Sequence, residues 1–202
     1  ITGSPFTNPD LLHPGTHSMV IYNRAEGFTF DGRMARVNAP DGKSRADGAS
    51  VIPLPGYLKT VSQEITVTAD DTLRVNPVPQ QRVRDLQLEL EVTQGRPELI
   101  QSVTATLSGI AGVFDMEKGQ TIGEPTSTVF SFTRDGSKLT ADARLLGTMG
   151  AVQTLVLDIV FTDGGRTQRT EVDLTEALAD FNGEMPTAYR VPGTRDTPVG
   201  ME

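Results

Sequence analysis

The sequence predicts an all-β chain organised as two β-sandwich domains in tandem, with at most one short helix. Three observations carry this expectation. Residues 86–92 read Leu-Gln-Leu-Glu-Leu-Glu-Val, apolar at every even position and polar at every odd one, the period-two pattern of a strand with one dry and one wet face. After the polar break Thr93-Gln94-Gly95-Arg96-Pro97, residues 103–114 alternate again, but with Ala105, Gly109, Ala111 and Gly112 where bulk is expected. The 20 Gly and 13 Pro are spread between such runs instead of pooled in one tract, which reads as many short strands joined by turns.

A chain of 202 residues is long enough to bury a substantial core. With 8 Phe, 3 Tyr and no Trp, that core must rest on Val, Leu, Ile and Ala. Eighteen basic against 26 acidic residues leave a net charge of −8. This argues against a nucleic-acid surface and a polybasic membrane patch, both of which need positive charge. The absence of Cys removes disulfides, zinc-thiolate sites and thiol nucleophiles together. No apolar run approaches the roughly 20 residues of a membrane-spanning helix.

In chain order, residues 1–15 are a Pro-rich arm. Residues 17–22 (His-Ser-Met-Val-Ile-Tyr) carry apolar groups on both faces and no charge, the pattern of a strand buried inside a sheet. Residues 28–30 form a short strand closing into the turn pair Asp31-Gly32, and 37–56 read as loop. Runs 64–68 and 72–75, joined by Ala69-Asp70-Asp71, suggest a hairpin. Pro77-Val78-Pro79 is a stiff connector, so the domains are expected at 1–79 and 80–202. The first then holds only four strands and needs one more, from upstream, from the tail or from a partner chain.

Further strands are expected at 129–133, with Phe130 and Phe132 on one face, and at 138–145, with Leu139, Ala141, Ala143 and Leu145 inward. Residues 155–161 are apolar on both faces except at Asp158, the mark of a central strand. Asp163-Gly164-Gly165 turns this strand back onto 170–174. The one helical candidate is 175–181, capped by Asp173 or Thr175, with Leu174, Leu178 and Phe181 on one face. Beyond residue 183 the periodicity is lost and a loose tail is expected.

A search for chemistry assigns no catalytic, cofactor-binding or metal residues. His13 and His17 are four apart, but Pro14-Gly15 between them rules out a helical metal pair. Ser108-Gly109 lies inside an alternating run and lacks a nucleophile-elbow motif, so Ser108 reads as a strand residue beside a glycine overlain by backbone. Asp70-Asp71, Asp115-Met116-Glu117 and Asp163 are candidate calcium loops that turn chemistry already explains. Gly147-Thr148-Met149-Gly150 lacks the Lys of a phosphate loop. Asp158 needs a partner, an Arg or a backbone group by preference. A hydrolase would require two carboxylates, or a Ser and a His, in one pocket. A ligand-binding module would expose Tyr22, Tyr57 or Tyr189 beside convergent polar groups.

Read together, Val103-Thr104-Ala105-Thr106-Leu107-Ser108-Gly109-Ile110-Ala111-Gly112 and Phe114-Asp115-Met116-Glu117-Lys118-Gly119 resemble the TLSGvAg…l.tG signature of the Bacteroidales fimbrial anchor lipoproteins, the fimbrillin-associated family of anchor and tip-like surface proteins. Pro14-Gly15-Thr16-His17-Ser18-Met19-Val20-Ile21-Tyr22-Asn23 looks like that family's PG.y.vlvYN strand. The likeness continues through Val67 to Pro77, Leu155 to Phe161, Asp163-Gly164 and Asp173-Leu174-Thr175, in the family's order. The resemblance implies transthyretin-like, Greek-key and immunoglobulin-like sandwiches, no enzymatic activity and no cofactor. It also implies other fimbrial or surface subunits as partners, and a surface or extracellular location reached through a lipidated Cys upstream of Ile1. The competing expectation is an extracellular glycan- or peptide-binding module.

Overall fold

The computed structural model describes residues 11–39, 50–69, 71–93, 95–162, 165–183 and 188–192. The expected arm over 1–10, much of the loop over 37–56, Asp70, Asp163-Gly164 and the tail beyond 192 lie outside them. Within the described residues the chain is all-β. Its strands are β1 (Gly15–Tyr22), β2 (Phe28–Asp31), β3 (Met34–Val37), β4 (Val51–Ile52), β5 (Lys59–Val67), β6 (Gln80–Gln81), β7 (Arg84–Glu91), β8 (Ile100–Ile110), β9 (Val113–Asp115), β10 (Gln120–Ile122), β11 (Thr126–Asp135), β12 (Lys138–Leu145), β13 (Thr154–Phe161), β14 (Thr167–Asp173) and β15 (Tyr189–Pro192). A single 3₁₀ turn, Pro97–Leu99, leads into β8.

Three sheets result. A small one runs β1-β5-β6, a second β10-β9-β3-β2, and the largest β14-β13-β8-β11-β12-β7-β15, with β4 added on β11. The large sheet curls because β11 changes partners along its length. It pairs with β8 from Thr126 to Phe132 and with β12 from Thr133 to Asp135. The two alternating runs, 86–92 and 103–114, are therefore not neighbours in the large sheet: β11 and β12 stand between β8 and β7. The predicted inward face of β12 is the observed one, with Leu139, Ala141, Ala143 and Leu145 all buried. Phe130 and Phe132 share the buried face of β11, their centroids 6.1 Å apart.

Three ladders cross the 79/80 point. β3 pairs with β9 (Met34 with Asp115 to Arg36 with Val113), β4 lies parallel to β11 (Val51 with Ser127, Ile52 with Thr128), and β5 pairs with β6 (Lys59 with Gln81, Thr60 with Gln80). The core is correspondingly continuous, joining Ala35, Leu58 and Phe114 to Leu107, Leu155 and Phe181. The break at Ala111-Gly112 makes this possible. It ends β8 and lets β9 leave the large sheet for the second one.

Four expectations need correction. Residues 72–75 are not a strand, and β5 pairs instead with β1, from Gly15 with Val67 to Tyr22 with Thr60. The alternation there has no core to face: Leu73 is exposed, and Asp71 turns its own carboxylate onto Thr72 N at 2.7 Å, a local bond that competes with a ladder. Residues 175–181 form successive turns, not a helix; Leu178 N reaches Leu174 O at 2.9 Å, but Ala179 and Phe181 bond only three residues back. The segment is too short to nucleate a helix on its own, yet Leu174, Leu178 and Phe181 share the core as expected. The stretch read as loop contains β4, and β3 begins just ahead of it. The tail contains β15, which adds to β7 in parallel, Tyr189 opposite Leu86.

Candidate partner-binding edge and cleft

β1 is an edge strand among the described residues. Asn23 N donates to Lys59 O at 3.2 Å, so the backbone N–H of Asn23 faces β5, as in the pairs that exchange ladder bonds. Because such pairs alternate along an antiparallel ladder, the register of β1 with β5 turns Gly15, His17, Met19 and Ile21 toward β5. The N–H and C=O groups of Thr16, Ser18, Val20 and Tyr22 then face outward, where no described strand meets them. β1 itself carries no Lys, no carboxylate, no Pro and no bulge, which are common protections of an exposed strand edge.

The residues that a sheet interior would bury are here only half-buried. Val20 packs on the core, and Met19 and Ile21 lie on the opposite face beside Gln63 and Val61 of β5. The sequence pattern of 17–22 is that of an interior strand, and the structure places it outermost. Its inner face is held at mid-strand by Ser18 Oγ, which donates to Glu117 Oε1 at 3.1 Å. Glu117 also pairs with Arg33 of the β2–β3 turn. Together these hold the Glu117 carboxyl below the usual carboxylate value, the Arg33 bond contributing most.

At its C-terminal end β1 meets β2, the edge strand of the second sheet. The Tyr22 ring stacks on Phe30, centroids 4.7 Å apart and planes 23° from parallel, and Phe28 lies 6.1 Å beyond Phe30. Tyr22, Arg24, Ala25, Phe28 and Phe30 line a cleft of about 350 Å³ between the two edges. Asn23 fixes the entry: Oδ1 accepts from Lys59 N at 2.6 Å and Nδ2 donates to Tyr57 O at 2.9 Å. The following turn sits close on Gly56, where a Cβ would stand 2.9 Å from Glu26 O. Arg24 projects from this braced turn and makes no ion pair among the described residues.

The other residues singled out from sequence are placed as follows. Tyr57 donates to Asp85 Oδ1 at 2.7 Å, with Arg144 5.5 Å from its ring centroid; the bond to Asp85 raises its phenol above the ordinary 10.0. Tyr189 is tied down by Ala177 O at 2.9 Å and by the edge of Phe181. His17 Nε2 lies 2.8 Å from His13 O, a backbone contact and not a shared ligand site. Among the described residues no group of three or more His, Asp or Glu could hold a metal. Ser108 bridges to the Thr154 backbone at 3.2 and 3.3 Å, as a strand residue does. Asp115 Oδ1 accepts from Glu117 N and Lys118 N, both at 3.0 Å, which is turn chemistry. Asp158 is half-exposed and faces Arg169 across the ladder at 3.8 Å. Of the cleft, sequence reasoning marked Tyr22 alone; Arg24, Phe28 and Phe30 join it through the meeting of two sheets.

The fold is shared with known structures. A structure described as a "putative adhesin" from Bacteroides ovatus superposes with a TM-score of 0.69 at 17% identity, over 89% of this chain and 72% of that one. The fimbrial anchor protein Mfa2 from Porphyromonas gingivalis superposes with a TM-score of 0.53 at 11% identity, over 90% of this chain and 68% of that one. No family model matches the sequence, and no curated protein does. At these identities the likeness is one of fold.

Proposed function

We propose, from the fold it shares with a fimbrial anchor protein, that this chain is a non-enzymatic cell-surface protein that acts in fimbria assembly, anchoring or cell adhesion. Its work is to take a strand of another fimbrial or surface subunit onto the open edge of β1. The single observation that carries this is the misplacement of β1: an uncharged strand with apolar groups on both faces stands outermost among the described strands, with four residues' backbone groups turned outward. Strand addition satisfies those groups and buries Met19, Val20 and Ile21, main-chain bonds supplying affinity and alternate side chains specificity. On this reading the chain is a pair of transthyretin-like sandwiches divided at 79/80 that have exchanged β4, β6, β9 and β10 across the division, held at the outer membrane by an N-terminal lipid upstream of Ile1.

The test uses the absence of Cys. Thr16→Cys places a unique thiol at the open edge, and Asp142→Cys places one on the exposed face of β12 as control. After labelling with a photo-crosslinker on the producing cells, Thr16→Cys should capture a fimbrial or surface subunit through an extended, alternating segment. Adding Ser18→Pro, which deletes one outward N–H and the Glu117 bond without touching the β5 ladder, should abolish the product, whereas Ser18→Ala, which loses only the Glu117 bond, should keep it. Equal capture at both thiols would sink the proposal.

One observation favours a second reading, a glycan- or peptide-binding module. Tyr57 is 41% exposed and carries Asp85 and Arg144 beside its ring, an aromatic face with convergent charged groups. A glycan array on which wild type and Tyr57→Ala are equally blank removes the glycan form of this reading.

A further inference from the structure

We infer that the cleft at the end of β1 is the selectivity socket of the added strand, and that it accepts a segment of a second protein chain bearing an apolar side chain opposite Tyr22 and a carboxylate at the end that lies beside Arg24. The inference rests on strand addition at β1 and deepens it. Cross-strand partners share a face, and Tyr22 turns its ring onto Phe30. The residue of an added strand opposite Tyr22 therefore points to the same side, into the space lined by Phe28 and Phe30. An aromatic or large aliphatic group there covers the exposed ring of Tyr22 and the half-buried edge of Phe30. The residue opposite Val20 likewise faces the core that Val20 touches.

Arg24 sets the charge. It lies just past the end of β1, in the turn closed by Ala25 N on Asn23 O at 3.0 Å, and lines the same cleft as Tyr22, Phe28 and Phe30, so it stands beside the end of the incoming strand. It is exposed and makes no ion pair among the described residues, in a chain whose carboxylates outnumber its basic groups by 26 to 18. An arginine left uncompensated in such a surplus, at the mouth of an aromatic cleft, is complementary to a carboxylate on a partner. The Asn23 bonds to Lys59 N and Tyr57 O brace the turn that presents it.

The probes are blocked peptides Thr-Val-Thr-Val-Thr-Phe-Thr-Glu-Thr, the same peptide with Lys in place of Glu, the same with Ala in place of Phe, and each in reversed order to cover both strand directions. Binding to the full chain is measured by isothermal titration. Wild type should prefer Glu over Lys by at least about five-fold, the scale of one exposed ion pair. Arg24→Glu should reverse that preference without changing the melting temperature, and Ala for Phe should weaken binding to both proteins. If the Glu and Lys peptides bind equally and Ser18→Pro abolishes both, strand addition stands and the socket is wrong. If Ser18→Pro leaves binding intact, the edge is not the site and strand addition falls with the socket. Failure of every peptide to bind wild type overturns the socket as described, while the crosslinking experiment still decides strand addition independently.

Discussion

Gly109 lies so close beneath Val152 that a Cβ built on it would stand 2.4 Å from the Val152 carbonyl oxygen. The backbone there has φ +74°, so a side chain meets both steric overlap and an unfavourable conformation. Met149 N also bonds Gly109 O at 2.8 Å, which pins the 147–153 segment over the end of β8. Gly109→Val should destabilise the chain by about 2–4 kcal/mol, read as a lower midpoint in urea. An unchanged midpoint would contradict the packing.

Acid should loosen the contact between β1 and the second sheet. The lowered value of the Glu117 carboxyl means that its bonds to Arg33 and Ser18 stabilise the fold fully above the ordinary value of 4.5 and are lost as pH falls through the lowered one. Between pH 6 and pH 3 the melting temperature of wild type should therefore fall more than that of Glu117→Gln. Parallel curves would exclude this contribution.

Tyr57 should ionise above 10.0 because Asp85 accepts its proton in a hydrogen bond and repels the phenolate. In Asp85→Ala the absorbance step of Tyr57 should move down in pH, with Tyr57→Phe identifying it. No movement would mean that the bond is not kept in solution.

The ring of Phe181 is fully buried and meets Tyr189 edge-on at 5.4 Å, so it joins the turns after β14 to the last strand. Phe181→Ala should cost about 3–5 kcal/mol. Amide exchange should quicken in β15 before it does in β12. Uniform quickening would show that Phe181 supports the core without docking β15 in particular.

Because β3 pairs with β9 and β4 with β11, the two sides of the 79/80 division should unfold together. Expected is one calorimetric transition for the whole chain, and a piece spanning 80–202 that loses protection at β9 and at the β4-facing side of β11. Two well-separated transitions would instead favour independent domains.

Most strands are legible in the sequence where alternation and burial agree. Residues 138–145 and 155–161 are read from their apolar period because the core they face lies in neighbouring parts of the same sheet. Met34–Val37 escapes notice because only Ala35 and Val37 are buried, and the strand that covers them comes from residue 113 onward. Residues 72–75 mislead for the opposite reason: the alternation is present and the core is not. For the site, Tyr22 is marked by being an aromatic at the end of an uncharged run. Phe28 and Phe30 look like ordinary core residues, and Arg24 like an ordinary surface charge, until two sheets bring their edges together.

The parallel pairing of β15 with β7 has a consequence for how the chain is made. Tyr189 reaches back to Leu86, so one edge of the large sheet stays incomplete until nearly all of the described chain has been synthesised. With β3 waiting for β9 and β4 for β11, early segments 34–37 and 51–52 stay without these partners while later ones emerge. Such non-local closure slows folding and lengthens exposure to aggregation. A newly made chain of this design therefore completes its large sheet only once residues 189–192 have emerged, long after the strand they join.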